Sequence, residues 1–336
     1  MSFELILPFM RPIERLLLDD EVSEIMGNPN GTWFAEREGT MVEEPEICFD
    51  AGSLRTGLEV IANNLGKRLD EDHPLLHAQL PDGSRICAYI PSAVKGAPGL
   101  TIRKFTGRHF TMEDLIARGT LTRSLAEFLN AQVRERKTML ISGGTNTGKT
   151  TLLNILAHAI PDEERIVTIE DTVELLIHKR NIVPFECQAD TYKQPVTFED
   201  LLKTSLRCRP DRIILGEVRG VEARTLLDSF NTGHSGSLAT IHANSAAKAL
   251  TRFANLAMRS HMQTTFFDTE AEIAESVDLI VHIARQPGRR FVREVLALHG
   301  YDRTAKQFQY ELVYEAETTL NPNLISTEKE TDYAIA

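Results

Sequence analysis

Residues 143–150 read GGTNTGKT, which fits the pattern GxxxxGK[ST] at every fixed position. An apolar run precedes this stretch and a helix-like run, residues 151–158, follows it, which is the strand–loop–helix context that the pattern needs. The glycines let the backbone curl so that successive N–H groups point at a phosphate, and the helix N-terminus adds partial positive charge. Because the pattern and both flanks agree, a nucleoside triphosphate site is predicted rather than a plain glycine-rich turn.

Two side chains of this loop have expected roles of their own. Lys149 is expected to reach the β- and γ-phosphates, and the Thr150 hydroxyl is expected to ligate Mg²⁺. ATP and Mg²⁺ are the predicted ligands. The residues of the stretch that are predicted to bind nucleotide are Gly143, Gly144, Thr145, Asn146, Thr147, Gly148, Lys149, Thr150 and Thr151.

The composition limits the other classes of function. The chain has 336 residues, enough for two domains, and its net charge of −11 argues against a large nucleic-acid-binding surface. Its four cysteines are scattered without a CxxC pair, which disfavours zinc or a redox dithiol and suits a reducing cytosol. No apolar run is long enough for a transmembrane helix, and the start does not read as a signal peptide.

Hydrophobic periodicity and turn signals divide the chain into a small α+β domain over residues 1–105, a linker over 106–120, an α/β domain over 121–317 and a disordered tail over 318–336. In the first domain the predicted elements are helices over 11–26 and 53–69, with Ser53 as N-cap of the second, strands over 32–36 and 100–104, and a hairpin of 75–80 with 85–90.

In the second domain, strand-like and helix-like runs alternate, which predicts a mostly parallel sheet covered on both faces. The predicted strands are 138–141, 165–169, 212–215, 237–241 and 278–283, followed by an antiparallel hairpin of 291–298 with 308–314. The predicted helices are 122–134, 149–159, 198–207, 221–231 and 245–259.

Acidic residues follow two of these strands. Glu170, Asp171 and Glu174 leave the second strand at its carboxyl end, where ligands bind in open α/β sheets. They are candidates to bind Mg²⁺ or hold water, although a helix N-terminus also favours acidic residues. In the next strand Gly216 stands where an ordinary P-loop enzyme has an aspartate, so Glu170 is the expected metal ligand beside Thr150, and Glu217 is the candidate to polarise the attacking water.

Two histidines, His234 and His242, lie eight residues apart on either side of one predicted strand. They are candidates to sense the γ-phosphate or to bridge subunits, and the alternative is that each is a satisfied core residue. Without a third partner they make a poor zinc site.

Four segments, taken in order, resemble the secretion-ATPase superfamily of type II and type IV secretion, pilus and conjugation motors. They are GGTNTGKTT, TIEDTVEL, LRCRPDRIILGEVRG and TGHSGSLATIHANS, which match the family's Walker A, Asp box, Walker B and His box in order and spacing. The segments LPDGSR, at 80–85, and LTIRKF, at 100–105, are also similar to this family. Within it, the chain most resembles the Tad-pilus (CpaF-like) and conjugation (TrbB-like) branch.

The resemblance implies a RecA-like P-loop ATPase domain preceded by the small α+β domain. It assigns catalytic roles to Lys149, Glu170 and Glu217, and places His242, with His234, in the His box. It further implies that Arg103 reaches the nucleotide across the domain gap and that Arg207 or Arg209 contacts phosphate. The family forms homo-hexameric rings. The resemblance also implies a cytoplasmic location, peripherally on the inner membrane, with secretion or pilus subunits as partners.

Several hypotheses about the function stay open at this point. The chain lacks the four-cysteine zinc motif of the type II branch, and its first domain begins almost at once. Because pilus ATPases of this group often have a long N-terminal extension, the second departure favours conjugation or type IV secretion over assembly of a Tad-type pilus. A non-hydrolysing nucleotide switch, a small-molecule kinase and a DNA-translocating motor are the alternatives from other classes.

Overall fold

A computed structural model describes residues 6–37, 39–105, 110–187, 195–260 and 264–316. The chain divides into two compact units, Met1–Arg108 and His109–Ala336. The tail predicted over 318–336 lies outside the described residues. No described helix combines the length and the apolar character that crossing a membrane requires.

The first unit is a six-stranded antiparallel sheet in the order β3-β2-β1-β6-β5-β4, with an apolar core against two helices. Its elements are α1 (Glu14–Leu18), β1 (Val22–Gly27), β2 (Trp33–Arg37), β3 (Thr40–Glu43), α2 (Ala51–Asn64), β4 (Leu75–Gln79), β5 (Arg85–Tyr89) and β6 (Gly99–Arg103). The predicted hairpin is present as β4 and β5, and the α+β class of this unit is confirmed.

The helix predicted over residues 11–26 is wrong in its second half. The helix ends at Leu18, and Val22–Gly27 is instead a strand that pairs with both β2 and β6. The pairing with β2 shifts register between Val22 and Glu24, so the buried residues Val22 and Ile25 fall three apart. A β-bulge of this kind imitates the helical period in the sequence.

The second helix was also misplaced at both ends. It runs from Ala51 to Asn64, and its N-cap is Asp50, whose carboxylate accepts from the backbone N–H of Ser53 at 2.8 Å. Ser53, the predicted cap, therefore supplies a donor within the first turn rather than the acceptor.

The second unit is built on an eight-stranded sheet in the order β14-β13-β12-β7-β11-β10-β8-β9. The strands β7 (Met139–Gly143), β8 (Ile166–Glu170), β9 (Ile182–Glu186), β10 (Arg212–Val218), β11 (Leu238–His242) and β12 (Leu279–Gln286) are parallel. The strands β13 (Arg289–Asp302) and β14 (Gln307–Glu315) extend the sheet in antiparallel fashion. The predicted alternation and the late hairpin are thus confirmed.

Helices cover both faces of this sheet. They are α3 (Met112–Ala117), α4 (Arg123–Arg134), α5 (Lys149–Ala157), α6 (Phe198–Ser205), α7 (Glu222–Asn231), α8 (Ala246–Ala257) and α9 (Phe266–Ser276). Alternate residues of β7 enter separate cores, since Leu140 packs in one cluster while Met139 and Ile141 pack in the other. A strand that is buried on both faces has a continuous apolar sequence. Such a run precedes the phosphate loop and predicts β7.

Three features of this unit were not predicted. The strand β9 contains Pro184, which removes a backbone donor and is tolerated here because β9 is an edge strand. The helix α9 follows α8 directly and so breaks the strand–helix alternation. The predicted linker over 106–120 is too long, because α3 is capped by Thr111 and Asp114 and buries Leu115 in the core of the second unit.

Candidate active site

The phosphate loop joins β7, a central strand of the sheet, to α5, as the sequence predicts. Two of its glycines are required by the geometry. A Cβ at Gly143 would lie 2.4 Å from the carbonyl oxygen of Ile283 on β12, and Gly148 has a φ of 97°, which favours glycine. The loop is therefore held closely against β12. It leads directly into α5, so the backbone N–H groups of the loop lie at the N-terminus of that helix.

At the apex of the loop, Asn146 adopts a left-handed conformation with a φ of 57°, which asparagine tolerates better than most residues. Its carbonyl oxygen accepts a hydrogen bond from Nε of Arg290 at 3.2 Å. Arg290 is an exposed residue near the start of β13, and sequence reasoning did not identify it. The sequence shows only a turn, Gly288-Arg-Arg, after an apolar strand. This pattern does not indicate that Arg290 lies beside the phosphate loop.

Lys149 points back into its own loop. Its Nζ donates to the carbonyl oxygen of Gly144 at 2.7 Å, and the Thr147 hydroxyl donates to the same oxygen at 3.0 Å. An ammonium held 2.7 Å from a loop carbonyl can turn to phosphate oxygens that arrive in the same loop. Thr150 and Thr151 lie in the first turn of α5, half-buried, and Thr145 is exposed.

Beneath the loop, a buried hydrogen bond joins β7 to β12. The Ser142 hydroxyl and Nδ1 of His282 are 2.8 Å apart, and both side chains are buried. Burial lowers the pKa of His282 below its ordinary value of 6.5, Arg293 and Lys149 lower it further, and Glu294 opposes them. The folded protein therefore favours a neutral imidazole at this position.

This depressed pKa predicts a stability loss in mild acid. Because the unfolded chain takes up a proton near pH 6.5 and the folded chain only at lower pH, stability is complete above pH 6.5 and falls as the pH drops through that value. We expect the unfolding midpoint of the wild type to fall more between pH 7.5 and pH 5.5 than that of His282→Gln. The exposed His299 offers the control His299→Gln, which should follow the wild type, and equal slopes for all three would contradict the prediction.

Glu170 occupies the space that a side chain at Gly216 would fill. A Cβ added at Gly216 would lie 3.2 Å from Cγ of Glu170, and the two strands are in register, with Ile169 opposite Leu215. Glu170 is buried, and its Oε1 accepts from the backbone N–H groups of Glu174 and Leu175 at 2.9 and 3.0 Å. The side chain of Glu170 thus passes beside Gly216, the position where an ordinary P-loop enzyme has its aspartate, and its carboxylate is held by the segment after β8.

Glu217 follows Gly216 on the same strand and is half-buried. Its Oε2 accepts two hydrogen bonds from the guanidinium of Arg219, which also donates to Asp171. Glu170, Glu217 and Asp171 therefore meet at the carboxyl edge of the sheet, as expected from the sequence. The sequence pattern alone does not single out Arg219.

The side chains near the phosphate loop suit a hard cation that keeps most of its bound water molecules. Among the described residues, no group of three or more His, Cys, Asp or Glu side chains could hold a metal ion. What the site offers is oxygen, from the Thr150 hydroxyl and the Glu170 carboxylate. Mg²⁺ is bound in this way, by one or two protein oxygens together with phosphates and water, so the residues present fit the predicted ion.

The two histidines lie at opposite ends of β11. His242 is the last residue of the strand and is paired with Gly143, beside the phosphate loop. His234 precedes the strand, and its Nδ1 is 3.1 Å from the carbonyl oxygen of Ser229. Within the described parts of the chain, the side chain of His242 makes no hydrogen bond or ion pair, so its imidazole is available at this edge.

Arg207 and Arg209, like His234, lie at the amino ends of the parallel strands, which we call the far edge of the sheet because it is opposite to the phosphate loop. They precede β10, whose seven residues span about 20 Å, whereas Glu217 lies near its carboxyl end. Arg207 donates to the carbonyl oxygen of Lys203 at 3.3 Å. Arg209 is exposed, has a φ of 53°, and its side chain makes no hydrogen bond to any described residue. The structure thus does not bring Arg207, Arg209 or His234 to the phosphate loop of their own chain.

Arg103 belongs to the first unit, at the end of β6. Its side chain is 47% exposed, and its Nε lies 3.9 Å from the carboxylate of Glu24 on the neighbouring strand. A pair at this distance and exposure contributes little stability. The register places Arg85 of β5 beside Arg103 on its other side.

Comparisons with known proteins give consistent matches across both units. Residues 10–316 match the family described as "Type II/IV secretion system protein". The chain is similar to the conjugal transfer protein TrbB of Rhizobium radiobacter, with 37% identity over 307 residues that cover 90% of this chain and 91% of the relative. It is also similar to the type IV secretion system protein VirB11 of Bartonella quintana, with 32% identity over 330 residues that cover 87% and 92%.

A solved structure shows the same fold. The X-ray structure of the Legionella pneumophila ATPase DotB matches with a TM-score of 0.58, at 20% identity, over 88% of this chain and 81% of that one. The likeness supports an N-terminal domain followed by a RecA-like domain.

Proposed function

This chain belongs to the type II/IV secretion system protein family, and we propose that it is an ATPase that works as a homo-hexameric ring and powers conjugative transfer or type IV secretion. The observation that supports the proposal most is the strand order. β11 lies between β7, which carries the phosphate loop, and β10, which carries Glu217. Two strand spacings of about 4.8 Å set β7 and β10 about 10 Å apart, which leaves room for a γ-phosphate and one water between them.

In the proposed reaction, each group has one task. Lys149 and the loop N–H groups hold the phosphates, and Glu217 accepts a proton from the attacking water. The water oxygen bonds to the γ-phosphorus, the bond from that phosphorus to the β,γ-bridging oxygen breaks, and ADP leaves with that oxygen. Such a transition state is stabilised mainly by positioning and by neutralised charge.

The metal site is a proposal in the same sense. Thr150 and Glu170 would hold Mg²⁺ together with water and the nucleotide. When bound, the ion would neutralise charge on the β- and γ-phosphates. Glu170 can serve because the missing side chain at Gly216 leaves space for it.

The residues at the far edge of the sheet support assembly into a ring. Arg209 is exposed and without a side-chain partner among the described residues, at the edge opposite to its own phosphate loop. We infer that it contacts the nucleotide of a neighbouring subunit, with Arg207 and His234 in the same contact region. Arg103 is proposed to reach the nucleotide from the first unit. Arginines that neutralise transition-state charge contribute roughly 10³–10⁵ in rate.

The system and the location follow from the relatives. Relatives named for conjugal transfer and for type IV secretion support this assignment over a Tad-type pilus motor. We therefore propose partners among the inner-membrane subunits of such a machine and a cytoplasmic location with peripheral membrane contact. ATP turnover would then drive the two units against each other.

Ring assembly predicts that subunits complete each other's sites. Specific ATPase activity is expected to rise with protein concentration and then level off, with Lys149→Ala as the blank. A sharper test mixes two inactive variants, Arg209→Ala and Lys149→Ala. If Arg209 acts on a neighbour, a phosphate loop from one variant and an arginine from the other form intact sites, and activity returns on mixing.

The contrary outcomes are distinct. Specific activity that stays constant with dilution would mean that each chain is self-sufficient. A mixture no more active than the sum of its parts would mean that Arg209 does not act in trans. The mixture of Arg207→Ala with Lys149→Ala tests in the same way whether Arg207, which donates to the carbonyl oxygen of Lys203, shares this role.

A further inference from the structure

The guanidinium of Arg219 joins two carboxylates that come from neighbouring strands. Its Nε and Nη2 both donate to Oε2 of Glu217, at 3.0 and 2.8 Å. Its Nη1 donates to Oδ2 of Asp171 at 2.9 Å. Because β8 and β10 are adjacent and parallel, Asp171 and Glu217 leave the sheet at the same edge, with the arginine between them.

The backbone of Arg219 is fixed independently of this bridge. The buried carboxylate of Glu222 accepts from the N–H groups of Arg219 and Gly220, at 2.6 and 2.7 Å. Glu222 is the first residue of α7, so these bonds tie the turn after β10 to the start of that helix. The side chain of Arg219 therefore extends from an anchored backbone.

The bridge occupies one carboxylate oxygen of Glu217 and leaves the other. Both bonds end on Oε2, and within the residues that the structure describes Oε1 makes no hydrogen bond. The planar fork of a guanidinium fixes the orientation of a carboxylate in a way that a single ammonium cannot. Burial alone would lower the pKa of Arg219, but its hydrogen bonds and charge interactions with Glu217 and Asp171 outweigh this and raise the pKa above the ordinary value.

We propose that Arg219 is a positioning residue that holds Oε2 of Glu217 so that Oε1 faces the attacking water, with Asp171 as its anchor on the adjacent strand. This inference rests on the proposed role of Glu217 as proton acceptor. Arg219 itself touches neither water nor nucleotide in the proposed reaction. Its effect is on how often Glu217 is correctly aimed, which acts on kcat rather than on nucleotide binding.

The test compares Arg219→Gln with Arg219→Lys in ATP hydrolysis. Loss of alignment at a catalytic group costs up to about 10²-fold, so we expect Arg219→Gln to lower kcat by roughly 10- to 100-fold. The KM for ATP should stay within about threefold, since uniform binding is untouched. Arg219→Lys keeps a charge that reaches Glu217 but loses the fork, and should recover part of kcat.

The anchor is tested by a double-mutant cycle. Asp171→Asn is expected to lower kcat less than Arg219→Gln, and the double variant no further than Arg219→Gln alone, because both changes break one bridge. In a Glu217→Gln background, Arg219→Gln should cause no additional loss. A merely structural role would not produce this dependence on Glu217.

A matched control is available on the same unit. Arg123 is an exposed arginine that donates two hydrogen bonds to Glu113, at 3.0 and 2.6 Å. Arg123→Gln should leave kcat unchanged. An equal fall in Arg123→Gln, or an unchanged or raised kcat in Arg219→Gln, would overturn the inference, and a raised kcat would mean that the bridge restrains Glu217 instead.

Failure of the inference is separable from failure of the proposed function. Wild-type turnover above the Lys149→Ala blank is measured in the same series. If the wild type shows none, the ATPase proposal itself fails. If the wild type turns over and Arg219→Gln matches it, only the role of Arg219 is rejected.

Discussion

Glu217→Gln is expected to lower the kcat of ATP hydrolysis by about 10²–10⁴-fold, the range typical of a lost general base. Glutamine has the size of glutamate and can still accept from Arg219, but its amide cannot take a proton from water. The position of Glu217 at the carboxyl edge, two strands from the phosphate loop, is the reason for assigning it this task. Nucleotide binding, measured by titration with a fluorescent ATP analogue, should change by no more than a few fold.

Two further variants show what a different result would mean. Glu199→Gln changes a half-buried carboxylate that pairs with Lys203 on α6, and should leave kcat unaltered. Glu170→Gln should instead raise the Mg²⁺ concentration needed for half-maximal turnover. If Glu217→Gln turned over like the wild type while Glu170→Gln did not, the proton would go to Glu170. If none of them hydrolysed ATP, a non-hydrolysing switch would be favoured.

The parts of the site that could be predicted are those in which spacing along the chain determines the geometry. The phosphate loop needs its glycines, Lys149 and Thr150 at fixed positions between a strand and a helix, and a continuous apolar run indicates the buried β7. The same holds for Glu170 and Glu217, because residues that follow parallel strands meet at one edge of the sheet.

Residues that precede parallel strands lie at the opposite edge of the sheet, and this rule predicts the location of Arg207, Arg209 and His234. They precede their strands, so strand direction alone assigns them to the amino edge. The resemblance to a family grouped them with the nucleotide without saying whose nucleotide it is. The structure makes the distinction, because the edge they occupy is opposite to the phosphate loop of the same chain.

Other features depend on contacts between segments distant in sequence. Arg290 lies beside Asn146 only because β12 pairs with β7, and Glu170 fills space at Gly216 only because β8 pairs with β10. In the first unit, a bulge in β1 made a strand look helical. No periodicity or motif within one segment reports such pairings.

Arg212 is the strongest case of a residue whose role the sequence hid. It lies at the start of β10, inside the Walker B segment, yet its side chain is completely buried at the amino edge. Its guanidinium bonds to the carboxylate of Glu164 at 2.5 and 3.3 Å and to the carbonyl oxygens of Gly236 and Val133 at 2.8 and 2.9 Å. It thereby fastens the loops before β8 and β11 to the end of α4.

Arg212→Met is expected to lower the free energy of unfolding of the second unit by about 3–5 kcal/mol, the usual cost of breaking a buried ion pair. Of the charged partners that the described residues provide, the substitution leaves the buried Glu164 carboxylate only Arg136, 3.4 Å away. The carbonyl groups of Gly236 and Val133 also each lose a hydrogen bond, although Val133 keeps the backbone N–H of Arg136 as a donor. Urea unfolding followed by circular dichroism should show the loss.

The single tryptophan makes the experiment specific to one unit. Trp33 is buried in the first unit, where it stacks on Phe49 with ring centroids 4.9 Å apart, so its fluorescence reports the first unit. The fluorescence transition should stay in place while the circular dichroism transition moves to lower urea. A double variant, Arg212→Met with Glu164→Leu, removes the stranded charge and should recover part of the loss. If Arg212→Met were no more destabilising than Arg123→Gln, the buried pair would not stabilise this edge of the sheet.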